Sequence, residues 1–249
     1  MPDITEQQYK LFVDFIKNGI ISLHEKKYKK LQKLKLEDIL LRKNLYLFKT
    51  KYLQTPEEVV RSVIDAFISS SEETTFGNFL EKLAVYISQN LEGGQKSSTK
   101  GIDLELTRDL IRYLIDIKSG PNWGNSSQIT KMEDNFKKAR KTLQTSGGDV
   151  NTQFINGCCY GFDDSPEKGA YRKLCGQRFW QFITGDADFY LKMIEPLGYQ
   201  AKEKSEEFHE LYTRKLIAFT SIFHEDFVEN GIINWHKLII ANSGIKKSL

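Results

Sequence analysis

Between Gly101 and Gly120 the chain holds two short runs that read as strands, and they fix what can be built around them. The first is Gly101-Ile102-Asp103-Leu104-Glu105-Leu106, and the second is Tyr113-Leu114-Ile115-Asp116-Ile117-Lys118-Ser119-Gly120. Side chains alternate faces along a strand, so Asp116 and Lys118 point one way while Ile115 and Ile117 point the other. Asp103 and Glu105 likewise share a face. A turn around Arg108 and Asp109 folds the two runs into a hairpin, which carries Asp103, Asp116 and Lys118 toward one small volume.

Those three side chains define a chemistry. Two carboxylates suit a hard divalent cation such as Mg2+, which takes oxygen ligands and keeps several waters. A lysine beside them can position or deprotonate an attacking water and steady developing negative charge, as phosphodiester hydrolysis requires. Aspartate is depleted in strands, and a carboxylate inside Leu114-Ile115-Asp116-Ile117 is costly unless it is paired or bound to a metal. The plainer alternative is two acids at a sheet edge with a lysine salt bridge. Glu105 either extends the metal site or faces solvent; the second is the commoner fate of such a residue.

Asp103, a gap of twelve residues, and then Asp116-Ile117-Lys118 resemble the active-site pattern of the PD-(D/E)xK nuclease superfamily, with Ile102 where the pattern has proline. The continuation Lys118-Ser119-Gly120-Pro121-Asn122-Trp123-Gly124-Asn125-Ser126-Ser127-Gln128 is similar to the segment after the catalytic strand in type II restriction endonucleases that cut GGNCC- or GGWCC-type palindromes. Cys175-Gly176-Gln177-Arg178-Phe179-Trp180-Gln181-Phe182-Ile183-Thr184-Gly185-Asp186 resembles a second signature of that group, and the resemblance spans roughly residues 75 to 200.

The resemblance implies a type II restriction endonuclease, an enzyme that hydrolyses double-stranded DNA at specific sites with Mg2+. Asp103 and Asp116 would be metal ligands and Lys118 the catalytic lysine, leaving a 5′-phosphate and a 3′-hydroxyl. Some branches of the superfamily add a glutamate from the helix before the first catalytic strand, a position that Glu81 occupies here; its alternative is a surface glutamate. A homodimer is implied too, since a palindrome mirrors a two-fold axis, and so is a host DNA methyltransferase as a functional partner. Two readings stay open beside this one. One is another nuclease on the same core, for repair or structure-specific cleavage. The other is a non-catalytic DNA-binding protein that keeps the fold.

Polar residues around the motif are candidates for DNA contact: Ser119, Asn122, Asn125, Ser126, Gln128, Lys131 and Arg178. Asparagine and glutamine pair bidentately with adenine, and arginine or lysine with guanine; as a polar loop they would do neither. Trp123 either packs on DNA or caps the core, and Phe179, Trp180 and Ile183 read as packing. The helix expected over 127–144 sets Ile129, Met132, Phe136, Ala139 and Leu143 on one face and Lys131, Lys137, Lys138, Arg140 and Lys141 on another. That basic face, and the lysine-rich stretch Glu25–Lys35, either meet phosphates or are solvated helix faces.

The expected fold is α/β: a restriction-endonuclease-like core with a small mixed β-sheet flanked by helices, plus helical N-terminal and C-terminal parts. Residues 1–72 read as a helical N-terminal part, and 73–249 as the nuclease core with a helical C-terminal extension. Helical spacing covers 5–24, Leu36–Leu53 and, after the start signal Thr55-Pro56-Glu57-Glu58, a further segment through Ile68. Ser69–Thr75 reads as a polar joint before a helix over Phe76–Leu91. Glu92–Lys100 and Thr145–Thr152 read as loops, and the former as a mobile one. Phe154–Gly161 reads as a strand, Tyr171–Ile183 as helical, and Asp188–Ser243 as mostly helical.

The remaining features narrow the class. A chain of 249 residues with 40% hydrophobic and 28% charged residues suits one sizeable core, or a core with a small subdomain. The net charge of +3 does not by itself argue for nucleic acid. Cys158, Cys159 and Cys175 form no CxxC pair, which speaks for three reduced, buried thiols in a cytoplasmic protein rather than disulfides or structural zinc. His24, His209, His224 and His236 lack ligand-like spacing. The start Met1-Pro2-Asp3-Ile4-Thr5-Glu6 does not read as a signal peptide, and no apolar run is long enough to span a membrane.

Overall fold

A computed structural model describes residues 4–91, 93–145 and 151–245. By its internal contacts the chain forms two compact units, 1–20 with 76–199 and 21–75 with 200–249. Helices α1 (Glu6–Lys33) and α4 (Pro56–Gln89) each contribute residues to both.

Within the second unit, α2 (Leu36–Arg42) and α3 (Leu45–Thr50) take the place of the single helix expected over Leu36–Leu53. Asn44 divides them: its side chain accepts from the Leu47 N–H and caps α3. The start of α4 is as expected. Thr55 Oγ1 accepts from the Glu58 N–H (3.2 Å), and the Glu58 carboxylate accepts from the Thr55 N–H (2.9 Å).

No joint exists at Ser69–Thr75, where α4 runs on unbroken. Ser70, Thr74 and Thr75 turn their hydroxyls back onto the carbonyls four residues earlier (2.7–3.0 Å), which satisfies them without ending the helix. A polar composition was thus mistaken for a break.

The first unit holds a five-stranded mixed sheet in the order β1 (Gly94–Lys96), β2 (Leu104–Arg108), β3 (Ile111–Lys118), β4 (Thr152–Cys158) and β5 (Arg172–Cys175). The first three strands are antiparallel and the last three parallel. Strand β1 lies in the stretch expected to be a mobile Gly/Ser loop; edge pairing with β2 orders it. Asp109 and Leu110, both at positive φ, make the two-residue turn between β2 and β3.

Helix α5 (Ser126–Thr145) is the crossover between the parallel strands β3 and β4. Its Met132, Phe136 and Ala139 pack with Ile102, Leu114 and Phe154 on one face of the sheet. Of the loop expected at Thr145–Thr152, residues 146–150 lie outside the described residues, as do Met1, Pro2 and Asp3 of the N-terminus.

The helix expected over Tyr171–Ile183 is half wrong. Arg172–Cys175 is strand β5, and Gly176, at φ +53, turns the chain into α6 (Gln177–Thr184). A strand of four residues is too short to announce its period. On the other face of the sheet, Phe179 of α6 covers Gly157 so closely that a Cβ there would stand 2.1 Å from its ring. Gly157→Ala is therefore expected to cost about 1–3 kcal/mol through overpacking, read as a lower urea midpoint.

Short helices α7 (Phe189–Lys192) and α8 (Ile194–Leu197) complete the first unit. In the second, α9 (Ala201–Phe227) and α10 (Trp235–Ser243) bracket a small hairpin, β6 (Val228–Glu229) and β7 (Ile232–Ile233). Its Asn230-Gly231 turn, both residues at positive φ, is a standard hairpin signal that lay within the stretch read as helical. Leu31, Ile39, Leu45, Ile64, Phe223 and Leu238 are core residues of this unit. Among the described residues, no helix is long and apolar enough to cross a membrane.

Candidate active site

The β2–β3 hairpin forms as expected and sets Asp103, Asp116 and Lys118 side by side. Asp103 stands just before β2. Its N–H donates to the Ile115 carbonyl (2.9 Å), and its carboxylate Oδ2 accepts from the Ile117 N–H (2.7 Å). This second bond fixes the carboxylate against β3, one residue from Asp116.

Asp116 is only 6% exposed. Its Oδ1 accepts from Lys118 Nζ at 2.7 Å, whereas the buried Oδ2 has no hydrogen-bond partner. Burial pushes the carboxyl up to about 6; Lys118 opposes the shift, while Asp103 and Glu81 add to it. A buried carboxylate oxygen without a donor is costly, and a cation is the partner that would remove the cost. On this observation the donor set fits a divalent ion that keeps much of its water.

Glu81, on α4, is half-buried. Burial raises its carboxyl first and the neighbouring Asp103 second, against the pull of Lys118. It thus lies within electrostatic reach of the pair. Among the described residues, no three His, Cys, Asp or Glu side chains converge tightly enough to hold a metal ion by themselves.

Two residues beyond the Asp103, Asp116 and Lys118 triplet brace the site. Asn156 of β4 stands opposite Asp116 in the parallel register and is fully buried. Its amide donates to the Asp116 carbonyl (3.3 Å), and its Oδ1 accepts from the Trp123 indole N–H (3.1 Å). The Trp123 ring in turn lies under Lys118 Nζ, 5.1 Å from ring centroid to nitrogen. Trp123 therefore does more than cap a core: it holds the lysine from one side while Asp116 holds it from the other. Asn156 was missed because only the β3–β4 pairing places it there.

Glu105 does not face solvent. It is 4% exposed and accepts from Ser97 Oγ (2.6 Å) and from the Arg112 guanidinium. Burial alone would raise its carboxyl, but the Ser97 and Arg112 bonds outweigh burial and hold it below the usual carboxylate range. The acid next along from Asp103 is thus neutralised internally. Arg112→Ala would leave this carboxylate buried with too few donors, at an expected cost of about 2–3 kcal/mol in chemical denaturation. Adding Glu105→Gln should recover part of the loss.

The other polar candidates divide. Asn125 and Gln128 form a reciprocal cap at the start of α5: Asn125 Oδ1 accepts from the Gln128 N–H (3.1 Å) and Gln128 Oε1 from the Asn125 N–H (2.9 Å). Asn122, Ser126 and Lys131 are exposed. Ser119 ties the end of β3 to the neighbouring segment, its carbonyl accepting from the Tyr160 N–H (3.0 Å). Arg178 is exposed, donates to the Asp163 carbonyl (2.9 Å) and lies over the Phe162 ring. The three cysteines are free and buried.

No curated protein matches the chain. The family model described as type II restriction endonuclease EcoO109I matches residues 10–205, which contain the whole hairpin, its bracing residues and α6. With that match added to the paired Asp116 and Lys118 beside Asp103, the chain belongs to the EcoO109I family of type II restriction endonucleases and is a site-specific deoxyribonuclease.

Proposed function

We propose that this chain is a Mg2+-dependent restriction endonuclease with Asp103, Asp116 and Lys118 as its catalytic residues. The observation that carries the reading is the unpartnered Oδ2 of buried Asp116, beside Lys118 and next to the anchored Asp103. Asp103 and Asp116 would hold the metal, with Glu81 completing the set through a water or by direct approach. When bound, the ion supplies charge stabilisation at the scissile phosphate.

The chain's own groups do the rest. Lys118, held between Asp116 and the Trp123 ring, aligns the attacking water through its ammonium and offsets charge building on the phosphate. The water's oxygen bonds to phosphorus, the bond to the 3′-oxygen breaks, and a 3′-hydroxyl and a 5′-phosphate result. Burial of Asp116 keeps competing water from Oδ1 and thereby keeps the lysine in place.

DNA contact would come from Ser119, Asn122, Asn125, Ser126, Gln128, Lys131 and Arg178, around the loop and helix that follow β3, with phosphates met by the basic face of α5. GGNCC-type palindromes are the proposed target class. A homodimer would place one hairpin on each strand. The enzyme would act in the cytoplasm, where a cognate methyltransferase protects host DNA.

Digestion of unmethylated phage DNA with purified protein tests this. A fixed ladder of bands with Mg2+, lost with EDTA and in Asp116→Ala, is the expected result. A smear would replace site-specific cleavage by a repair or non-specific nuclease. A gel shift without cleavage would favour a binding protein on the same fold.

A further inference from the structure

We propose that the second unit carries a phosphate-binding cleft of its own, in which Lys30, Lys33, Arg42 and Lys43 grip the sugar–phosphate backbone of duplex DNA. This rests on the nuclease reading above and adds a site to it. The cleft is open, with a volume of about 520 Å³, and lies wholly within that unit.

The structure sorts the lysine-rich stretch of α1 into two groups. Lys27 is neutralised by Glu72 (2.6 Å) and lies over the Phe208 ring, and Lys29 is paired with Glu25 (3.7 Å). Lys30 and Lys33, three residues apart and so on one helix face, instead line the cleft with Arg42 and Lys43. None of these four is ion-paired to a carboxylate among the described residues. Asp38 is the one acid among the lining residues, against four cations.

Two of the cations are oriented by neutral oxygens, which leaves their charge unspent. Lys30 Nζ donates to Ser71 Oγ (2.7 Å), and Lys43 Nζ to the Ala66 carbonyl (2.7 Å) and Ser70 Oγ (3.3 Å). Ser71 Oγ accepts from Lys30 and donates to no group among the described residues, so its proton can meet a phosphate oxygen. Ser70 and Thr74 spend theirs on helix carbonyls. The lining holds no asparagine or glutamine to read an adenine edge. Four unpaired cations with a hydroxyl donor suit the repeating charge of the backbone, which every duplex presents whatever its sequence.

The test is equilibrium binding of a random-sequence duplex by fluorescence anisotropy, without divalent metal, between about 50 and 200 mM salt. Lys33→Gln/Arg42→Gln removes two cations whose side chains make no hydrogen bond among the described residues; Lys30→Gln/Lys33→Gln is the second variant should the first unfold. The slope of log affinity against log salt is expected to fall by close to two, about 0.9 per lost phosphate contact, with affinity at 100 mM salt more than about tenfold weaker. Lys26→Gln/Lys29→Gln, outside the cleft, should leave the slope near that of the wild type. Wild type that binds duplex with the same slope as both cleft variants overturns this inference alone. Wild type that binds no duplex here yet cuts phage DNA with Mg2+ overturns this inference alone, and wild type that does neither overturns the functional reading together with it.

Discussion

Asp116→Asn is expected to stop DNA cleavage and, in the absence of metal, to make the chain more stable at pH 8. The loss of cleavage should exceed about a thousandfold, because asparagine would not supply the negative charge proposed to hold the cation. The gain in stability follows from the carboxyl's environment. Asp116 is raised from 3.8 to about 6, so the folded state holds the proton more tightly than the unfolded chain. Stability is therefore highest below the unfolded value, falls as pH rises between the two values, and is flat above about 6.

A two-unit shift corresponds to about 3 kcal/mol at most. Chemical denaturation of both proteins at pH 4 and pH 8 measures the effect as a double difference, which cancels the steric cost of the amide. Asp116→Asn should gain on the wild type by about 2–3 kcal/mol between those pH values. No change between pH 4 and pH 8 would mean that Asp116 is not strained by burial.

The second large effect belongs to Lys118. Lys118→Met keeps the stem on the Trp123 ring and removes only the charge. Cleavage is expected to fall by about 10²–10⁴-fold while affinity for duplex DNA in metal-free buffer stays near the wild-type value. A single-turnover assay with saturating DNA separates the two quantities. A purely structural salt bridge predicts retained cleavage; a stability loss is expected on either reading, since Asp116 would then be buried with no donor at either oxygen.

What the sequence made legible was local. The hairpin could be read because strand alternation and a short turn both act over a few residues, and Asp103, Asp116 and Lys118 came with it. Met132, Phe136 and Ala139 on α5 were legible for the same reason at helical period. Asn156 and the buried state of Glu105 were not. The first depends on which residue of β4 lies beside Asp116, and the second on Ser97, just past β1, and Arg112 of β3 reaching the same carboxylate. Composition misled at both ends: serine and threonine inside α4 looked like a joint, and glycine and serine around β1 looked like a free loop. In each case hydrogen bonds formed in the fold override a weak local preference.

The parallel pairing of β3 with β4 has a consequence for how the enzyme comes into being. The three side chains proposed as catalytic, Asp103, Asp116 and Lys118, all belong to one hairpin, a unit that can close within microseconds. The cradle around them needs Asn156, forty residues further on and separated from Asp116 by the whole crossover helix. Until that long loop closes, the Asp116 carboxylate stays hydrated and Lys118 has no aromatic wall behind it. On that topology the three side chains proposed for catalysis come together locally, while the cradle that braces them waits on a contact forty residues away.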